Sequence, residues 1–468
     1  MEPVTGAPAL FLQTETPSMH MHVVGVLVLD PAGVEGWTTD RVIDVFDERI
    51  HLIPPFRKRL VEVVVGLDHP RWIDDPDFDL ERQVHDHALA PPGDDDALEA
   101  FIGEVASTPL PRDRPLWEMW IVTGRSDGTV ALVSKVHHAI MDGAAGGELM
   151  ASLFDLSAEG EPVEPPDEPW QPDEEPGRAR LAGDAATAAV GRIGRLPSTV
   201  ARTAGRVASI AFSAVSDRLS GSAPPITAPS TPFNGPLTPE RTVALADCRL
   251  DDLRRVRSAF GTTVNDVVLA AAATSLRHYL AVRDALPRRP LVASVPMSLR
   301  TEEDADDLTP RATNLMIALP IHVDDPVGRL EAIHEHTEGA KLAPHGLGPE
   351  LTRDWVSFAP PPLVRGASKA YSGLGIDRLP ATFNTILSNV AGSPVPLYLG
   401  GAEVTATYPM GPLIANTGLN LTVLSQGDTL HVGVIACPDL IDDVDVIADG
   451  FVAAVEELAR LADEAAAG

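Results

Sequence analysis

Hydrophobic residues recur along the chain with two different periods. Short apolar runs typical of strands include VVGVLVL, RLVEVVVG, LWEMWIVTG and TVALVSKVHH, the last two joined by RSDG. Segments with apolar positions three and four residues apart predict helices over TTDRVIDVFDERIHLI, DDDALEAFIGEVAST and AAGGELMASLFDL. This alternation predicts an α/β fold for the first part of the chain.

The last part of the chain repeats the alternation. Strands are predicted over RTVALADC, LVASVPMS, NLMIALPI, TFNTILSNV, NLTVLSQ and TLHVGVIAC. Helices are predicted over LDDLRRVRSAF, VNDVVLAAAATSLRHYLAV, GRLEAIHEHTEGAKL, PELTRDWVSFA and VDVIADGFVAAVEELARLADEA, and Gly261 separates the first two. The simplest interpretation is two α/β domains, residues 1–156 and 237–468, whose interface is a favoured place for a ligand pocket.

Residues 157–236 differ in composition from both flanking parts. Residues 157–175 carry eight acidic side chains, no basic ones and many prolines, which is typical of a linker or mobile loop. Residues 178–220 carry seven arginines against two aspartates and predict one or two amphipathic helices broken near Pro197. Two interpretations of this arginine-rich segment stay open: a solvated helical crossover, or an interfacial helix that lies on anionic lipid.

Composition places the chain among globular proteins. Its 468 residues are 44% hydrophobic and 22% charged, which is enough apolar material for two packed cores. A formal net charge of −31 argues against a nucleic-acid partner, because phosphate contacts need clustered Lys and Arg. Cys248 and Cys437 lie far apart without metal-ligand spacing, which suits a reducing compartment. The N-terminus lacks signal-peptide features and no apolar run reaches about 18 residues, so we expect a protein that is soluble or lies on a membrane surface.

The stretch KVHHAIMDG, Lys135 to Gly143, is the main candidate for chemistry. Metal binding has weak support, because the Asp142-Gly143 turn signal breaks the helix face that His138 and Asp142 would share, and no cysteine ligand is near. The two histidines could instead be satisfied structural residues before a turn. The third interpretation is catalytic: a neutral imidazole can take a proton from a hydroxyl, and strand alternation lets one histidine face a pocket while the other packs.

The segment GRSDG, Gly124 to Gly128, matches the G-x-S-x-G pattern of serine hydrolases. That pattern requires a strand followed by a helix, because the strained turn between them lifts the serine above the sheet. Here a strand follows, and Ser-Asp-Gly between two strands is ordinary turn chemistry. We therefore interpret Ser126 as a turn residue.

Several blocks in order along the chain resemble one family. HHAIMDG matches the HHxxxDG signature of CoA-dependent acyltransferases, and its surroundings resemble the bacterial wax ester synthase/diacylglycerol acyltransferase family. The resembling blocks, which run over nearly the whole chain, are ALFLQTETPSMHMHV, HPRWIDDPDFDL, PLPRDRPLWEMW, VNDVVLA, VPMSLR and SNVAGSP. The chain departs from the family pattern at Ala391, where proline is usual, at Thr313, where glycine is frequent, and at Gln83, where many members have histidine.

The resemblance implies two chloramphenicol-acetyltransferase-like α/β domains with a substrate tunnel at their interface. It also implies roles for the residues of the histidine motif. His138 is expected to be the general base that removes the hydroxyl proton of the acceptor, and His137 to support it. Asp142 is expected to hold the loop by a charge pair, and Gly143 to lie against the substrate.

The VNDVVLA block has two interpretations. The resemblance implies that Asn265 helps to stabilise the developing oxyanion and that Asp266 lies at the substrate. The structural alternative is that both residues belong to the N-terminal cap of the following helix, with Asp266 near its positive end. For Pro115, Leu116 and Trp117 of the PLW block, a packing role is favoured over a direct one.

The resemblance implies an O-acyltransferase that moves a fatty acyl group from acyl-CoA to diacylglycerol, a long-chain alcohol or both, by direct attack on the thioester. Acyl-CoA is a substrate, and no cofactor and no metal are expected. We expect a cytoplasmic protein at the periphery of membranes or lipid droplets. The alternatives are a catalytically silent lipid-binding homologue and an acyltransferase of the same fold with a carrier-bound donor or another acceptor.

Overall fold

The computed structural model describes residues 1–63, 68–140, 151–166, 169–188, 228–298, 312–342 and 381–467. The strands within these ranges are β1 (Glu2–Pro3), β2 (His22–Asp30), β3 (Lys58–Val61), β4 (Arg71–Asp74), β5 (Val84–Ala88), β6 (Trp117–Thr123), β7 (Val130–His137), β8 (Thr242–Arg249), β9 (Leu291–Ser298), β10 (Ala312–Leu319), β11 (Thr385–Ala391), β12 (Tyr398–Leu399), β13 (Ala402–Met410), β14 (Leu419–Gln426) and β15 (Thr429–Ala436).

The α-helices with both ends in the described ranges are α1 (Gly6–Thr14), α2 (Asp40–Arg49), α3 (Asp95–Ser107), α4 (Leu250–Phe260), α5 (Val264–Ala281), α6 (Pro326–Leu342) and α7 (Asp445–Ala467). Short 3-10 helices cover Ile50–Leu52, Pro54–Arg57 and Leu80–Arg82. The elements that the sequence analysis did not predict are β1, α1, β4, β5, β12, β13 and the 3-10 helices Pro54–Arg57 and Leu80–Arg82. The predicted helix PELTRDWVSFA and most of AAGGELMASLFDL lie outside the described residues.

Two six-stranded sheets form the framework. The first sheet has the order β12-β13-β2-β7-β6-β5 and the second has the order β10-β9-β11-β14-β15-β8. Most neighbours are antiparallel; β5 runs parallel to β6, and β11 runs parallel to both β9 and β14. The mixed α/β class predicted from the sequence is confirmed. A separate small sheet has the order β1-β4-β3.

The turn between β6 and β7 confirms the interpretation of Ser126. β6 and β7 are antiparallel neighbours, and the segment between them closes with Gly124 and Gly128 at positive φ, 84° and 82°. Asp127 accepts hydrogen bonds from the backbone N–H and the hydroxyl of Thr129. The segment is therefore a hairpin turn without the strand-to-helix elbow that a serine nucleophile requires.

Strand β13 connects the two parts of the chain. It follows the second-domain strand β11 in sequence, but it pairs with β2 in the first sheet, with Glu403 opposite Asp30. Its side chains alternate between buried and more exposed positions, as expected for a strand with one face on a core. The domain boundaries at residues 156 and 237 stay a prediction, and the structure adds that residues 398–410 complete the sheet of the first part.

The second core is built around α5. The residues Val267 to Ala273 of this helix are all buried, and they pack with the apolar side chains of α7 and of the second sheet. The helix begins with a capping box, in which Thr263 and Asp266 bond to each other's backbone N–H groups. Gly261 ends α4 in the left-handed conformation, φ 68°, so the predicted break at this glycine is confirmed.

The acidic, proline-rich connection has no regular secondary structure over its described residues, yet it contacts the first domain. Trp170 lies edge-on to Phe78, with ring centroids 6.1 Å apart, and under the guanidinium of Arg57. Asp173 accepts a hydrogen bond from the backbone N–H of Asp74 at 3.3 Å. Of the predicted arginine-rich helices, only residues 178–188 are described, and these are helical.

Within the described ranges, no single helix is both long and apolar enough to cross a membrane. Helices α4 and α5 meet that criterion only when taken together, as a pair bent by 104°.

The packing of β13 on β15 gives a stability prediction. A Cβ added at Gly433 of β15 would lie 2.4 Å from the carbonyl oxygen of Pro409. We expect Gly433→Ala to lower the free energy of unfolding by about 1–3 kcal/mol, because the two strands must move apart. Thermal denaturation followed by circular dichroism measures this as a lower Tm.

Gly339→Ala is the matched control for this substitution. Gly339 lies on α6, and no atom is within 4 Å of its added Cβ. Alanine should there be neutral or stabilise the helix by up to about 1 kcal/mol. Equal melting temperatures for the two variants would contradict the close packing of β13 on β15.

Candidate active site

Both neighbouring strands hold the end of β7. His137, the last residue of β7, donates its backbone N–H to the carbonyl of Leu116, just before β6, at 2.9 Å. His138 donates its N–H to the carbonyl of Met21, just before β2, at 2.8 Å. Because successive residues of an extended chain alternate in direction, this pattern sends the two imidazoles to different environments.

The side chain of His137 is buried and already accepts a hydrogen bond. Its side chain has no exposed surface, and Nδ1 accepts a hydrogen bond from the backbone N–H of Ala139 at 2.9 Å. The proton of the neutral ring therefore sits on Nε2, which lies 3.8 Å from Oε2 of Glu15. Burial, and then the positive charge of Arg112, hold the pKa of His137 well below its usual value. With Nδ1 occupied and Nε2 protonated, His137 fits the predicted supporting role.

His138 lies in the turn that follows β7 and is only partly buried. Its ring packs against the ring of Phe11 on α1, with centroids 4.4 Å apart and planes inclined by 33°. Of the two histidines, His138 is the one whose side chain reaches beyond the core. The packing of His137 matches the sequence expectation that one histidine packs, and the expectation that the other faces a pocket stays a prediction.

Helix α1 brings two residues to the histidines that the sequence analysis missed. Phe11 contacts His138, and Glu15, at the C-terminal cap of α1, faces His137. Glu15 also forms an ion pair with Arg112. Both residues lie in the resembling block ALFLQTETPSMHMHV, but the sequence does not indicate these contacts, because the two histidines lie more than 100 residues away.

A row of buried histidines continues from the motif along the same face of the sheet. His22 stands opposite His137 in the β2–β7 register, and His20 stacks on His22 with ring centroids 5.3 Å apart. The Nε2 atom of His22 donates to the carbonyl of Ala106 at 3.0 Å. Burial, followed by the charge of Arg241, lowers the pKa of His20 to about 4, so both rings are neutral near pH 7. The alternation in MHMHV was the sequence signal for this row.

Lys135 lies in the next position on this face and is 1% exposed. Its ammonium group lies 3.2 Å from Oε2 of Glu118 and donates to the hydroxyl and carbonyl of Thr108 at 3.0 and 3.2 Å. It also lies 5.0 Å from the ring centre of Trp120. The buried ammonium group is thus paired and hydrogen-bonded, although burial still lowers the pKa of Lys135, and it ties the end of α3 to the sheet below the histidine motif.

The PLW block supports the motif through packing. Leu116 and Trp117 are buried, and the indole Nε1 of Trp117 donates to the carbonyl of Phe56 at 2.8 Å. The amide of Gln83, the residue that replaces the family's usual histidine, donates to the carbonyls of Pro115 and Trp117 at 3.1 and 2.7 Å. The packing interpretation of this block is confirmed, and the carbonyl of Leu116 anchors the end of β7.

Asp266 is part of the scaffold of the second domain. The side chain is 1% exposed, and its oxygens accept hydrogen bonds from the Thr263 N–H at 2.9 Å, from Nδ1 of His334 at 2.8 Å and from the Thr337 hydroxyl at 2.7 Å. The capping alternative for Asp266 is therefore confirmed, and Asp266 also binds α5 to α6. These contacts give no support to its predicted role at the substrate, which stays a prediction.

Asn265 occupies the second position of α5, so it is not the capping residue, which is Thr263. Its amide oxygen lies 3.4 Å from the amide nitrogen of Asn389 on β11. Two of the blocks that carry the family resemblance, VNDVVLA and SNVAGSP, thus meet at the same edge of the second domain. The predicted role of Asn265 at the oxyanion stays a prediction.

The second domain contacts the first beside the histidine motif. Arg241, just before β8, donates its backbone N–H to the hydroxyl of Ser107 and its guanidinium to the carbonyl of Ser18, both at 2.8 Å. The backbone N–H of Ala415 approaches the sulfur of Met19 at 3.1 Å. These contacts place loops of the second domain against the turn that joins α1 to β2. The predicted site therefore lies near the domain interface.

Two predicted site residues, Asp142 and Gly143, lie outside the described residues. Within the part of the chain that the structure describes, no three His, Cys, Asp or Glu side chains form a group suited to a metal ion.

The two-domain architecture is shared with a solved condensation domain. The starter condensation domain of rhizomide synthetase, solved with C8-CoA and Leu-SNAC, aligns with a TM-score of 0.56 at 14% identity, covering 99% of this chain and 94% of that domain. At this identity the likeness concerns the fold alone. It confirms the predicted pair of chloramphenicol-acetyltransferase-like domains.

The chain belongs to the wax ester synthase/diacylglycerol acyltransferase family. Residues 4–268 match the catalytic domain of that family, and residues 311–459 match its C-terminal domain. The solved wax ester synthase/diacylglycerol acyltransferase of Marinobacter aquaeolei VT8 aligns with a TM-score of 0.70 at 27% identity, covering 98% of this chain and all of that one. This protein is thus an acyltransferase by family.

Relatives from Mycobacterium tuberculosis are similar over nearly their whole length. A protein of strain CDC 1551 named provisionally as a diacylglycerol O-acyltransferase is 38% identical over 467 residues, or 99% of this chain and 91% of the relative. A second protein of that strain with the same provisional name is 34% identical over 471 residues, or 99% of this chain and 97% of the relative.

The contacts of Asp266 lead to a prediction that distinguishes a structural role of this residue from a role in substrate binding. We expect Asp266→Ala to lower the free energy of unfolding by about 1–3 kcal/mol, because it removes the capping box and leaves buried donors unpaired. The KM of the protein that remains folded should not change. Asp251→Ala is the control, since Asp251 is an exposed residue of α4 that pairs only with other exposed side chains.

The same contacts fix the direction of a pH effect. Burial alone would raise the pKa of Asp266, but the hydrogen bonds from Thr337, His334 and Thr263 hold it below its usual value. Because the pKa of Asp266 is lower in the folded than in the unfolded state, the ionised side chain stabilises the protein above about pH 4. This contribution is lost as the pH falls through the folded-state pKa. The stability difference between wild type and Asp266→Ala should therefore shrink in acid, as urea denaturation at several pH values measures. A raised KM with unchanged stability would instead place Asp266 at the substrate.

Proposed function

We propose that this protein is an acyl-CoA-dependent O-acyltransferase that transfers a fatty acyl group to diacylglycerol, to a long-chain alcohol or to both. The family supports acyl transfer in general. The observation that carries the finer proposal is the different state of the two histidines, since His137 is locked in the core and His138 reaches out of it. These contacts favour His138 over His137 as the base of the proposed reaction.

The proposed reaction needs one base and no covalent intermediate. His138 takes the proton of the acceptor hydroxyl as the oxygen attacks the thioester carbonyl. The carbon–sulfur bond then breaks, the ester is released, and the imidazolium returns its proton to the CoA thiolate. The products are an ester and free CoA, so the protein is regenerated without a further reactant.

The cysteines support direct transfer over an acyl-enzyme. Cys248 and Cys437 are both buried, and burial raises the pKa of the Cys248 thiol to about 12. A thiol held in its protonated form is a poor nucleophile. Ser126, the other nucleophile that the sequence suggested, lies in a hairpin turn.

Asn265 completes the proposed machinery, with its amide as a donor to the oxyanion. Acceptors of this kind dissolve in membranes or droplets, so we propose that the protein works in the cytoplasm, at the periphery of such surfaces. In the described start of the arginine-rich segment, Leu181 and Ala185 pack against Val61, Val63 and Ile73 of the first domain, so the proposed peripheral location rests on the hydrophobic acceptors alone.

The first test is His138→Ala with acyl-CoA and either diacylglycerol or a long-chain alcohol. We expect the rate of CoA release to fall by about 10²- to 10⁴-fold, as for loss of a general base, with an unchanged Tm. His278→Ala on the exposed side of α5 is the control and should release CoA like the wild type. Equal CoA release by wild type and His138→Ala would refute the role of His138.

An acceptor and donor panel separates the proposal from its alternatives. Wild-type protein should release CoA in the presence of diacylglycerol or long-chain alcohol and form the corresponding ester, detected by mass spectrometry. Binding to liposomes without CoA release for any acceptor would favour a silent lipid-binding homologue. Turnover of carrier-bound acyl chains but not of acyl-CoA would favour a condensation-type enzyme.

A further inference from the structure

The strongest unassigned feature next to the histidines is the ion pair between Glu15 and Arg112. Glu15 closes α1, where its backbone N–H donates to the carbonyl of Phe11 at 3.1 Å. Arg112 lies in the segment between α3 and β6. One pair therefore joins the helix that carries the aromatic contact of His138 to the loop that leads into the PLW block.

The pair also faces the buried histidine. Oε2 of Glu15 lies 3.8 Å from Nε2 of His137, the nitrogen that carries the proton, and the same oxygen binds the guanidinium of Arg112. The Glu15 side chain is 13% exposed and that of Arg112 is 40% exposed, so solvent screens the arginine more than the glutamate. The net field at the histidines consequently depends on both charges.

A polar cavity of about 250 Å³ borders the pair and is lined by Leu12, Glu15, Glu62, Pro70 and Arg112. The ion pair lies between this cavity and the buried ring of His137. It therefore forms the boundary of the histidine core on this side.

We infer that Glu15, held by Arg112, is a positioning residue for the histidine pair, which sets both the orientation and the proton affinity of His138. The inference rests on the proposed role of His138 as the base. Glu15 acts in two ways: it fixes the end of α1, so that Phe11 stays on the ring of His138, and it supplies negative charge opposite Nε2–H of His137. Neither residue touches the reacting atoms.

Opposite charges on the two partners make the inference testable. Glu15→Gln removes the negative charge, which destabilises an imidazolium, so the pKa of His138 and the acid limb of kcat/KM should move to lower pH. Arg112→Gln removes the positive charge and should move both to higher pH. Each shift should be about 0.5 to 1 pH unit and should shrink with added salt. The double variant should return towards the wild-type profile.

The remaining charged and titratable groups around the histidines stay unchanged in these variants. They include Glu62, which lines the same cavity as the pair, His20 and His22 on the β2 side with Arg241 beside His20, and Lys135 of β7 with Glu118 of β6. Glu15→Asp retains the charge and should restore most of the wild-type profile. Glu2→Gln is the matched control, because it breaks an exposed ion pair, with Lys58, in the same domain.

Two readouts keep this inference separate from the proposed function. The pH profile of CoA release reports the enzyme, and NMR titration of isotope-labelled histidine rings, assigned with His138→Ala, reports the pKa of His138 without turnover. Opposite shifts for Glu15→Gln and Arg112→Gln are the expected result. Shifts of the same sign, or a lower Tm without any shift, would show a purely structural pair and overturn the inference. Unchanged CoA release in His138→Ala would overturn the proposed base, while the NMR titration would still decide the electrostatic role of Glu15.

Discussion

The candidate site depends on how the backbone at the end of β7 is hydrogen-bonded to the segments just before β6 and β2. Consecutive N–H groups bind the carbonyls of Leu116 on one side and Met21 on the other, which leaves His137 inside and His138 outside. The buried row of His20, His22 and Lys135 packs behind this strand end, and the PLW block supplies one of its two acceptors. The different surroundings of two identical neighbouring side chains thus follow from strand geometry.

The second constraint is the strand that crosses between the domains. β13 pairs with β2 and packs on β15, where Gly433 allows Pro409 to approach. The Tyr408 hydroxyl of β13 also donates to Asp247 of β8 at 3.0 Å. Because β2 carries His22 and directly follows Met21, whose carbonyl binds the His138 N–H, β13 links the second domain to the strand beside the motif.

Much of the fold was predictable from local patterns, since apolar periodicity marks most strands and helices and Gly261 marks the break before α5. β13 escaped because Pro409 interrupts its pattern and its partner β2 lies more than 370 residues away. The sequence predicted that one histidine of the pair packs, but the choice between them depends on tertiary hydrogen bonds. Glu15 and Phe11 lie in one of the blocks that carry the family resemblance, but their contacts with the histidines were not predictable, because α1 meets the end of β7 only in the folded chain.

The central claim is that His138, and not His137, exchanges the proton of the acceptor. A crystal structure of the protein with a non-hydrolysable thioether analogue of acyl-CoA and a long-chain alcohol tests it most directly. The account predicts the alcohol hydroxyl within about 2.6–3.2 Å of a ring nitrogen of His138, beside the carbon that replaces the thioester carbonyl, with His137 still bonded to Ala139. An alcohol bound to any other base, or ligands bound away from the end of β7, would contradict it.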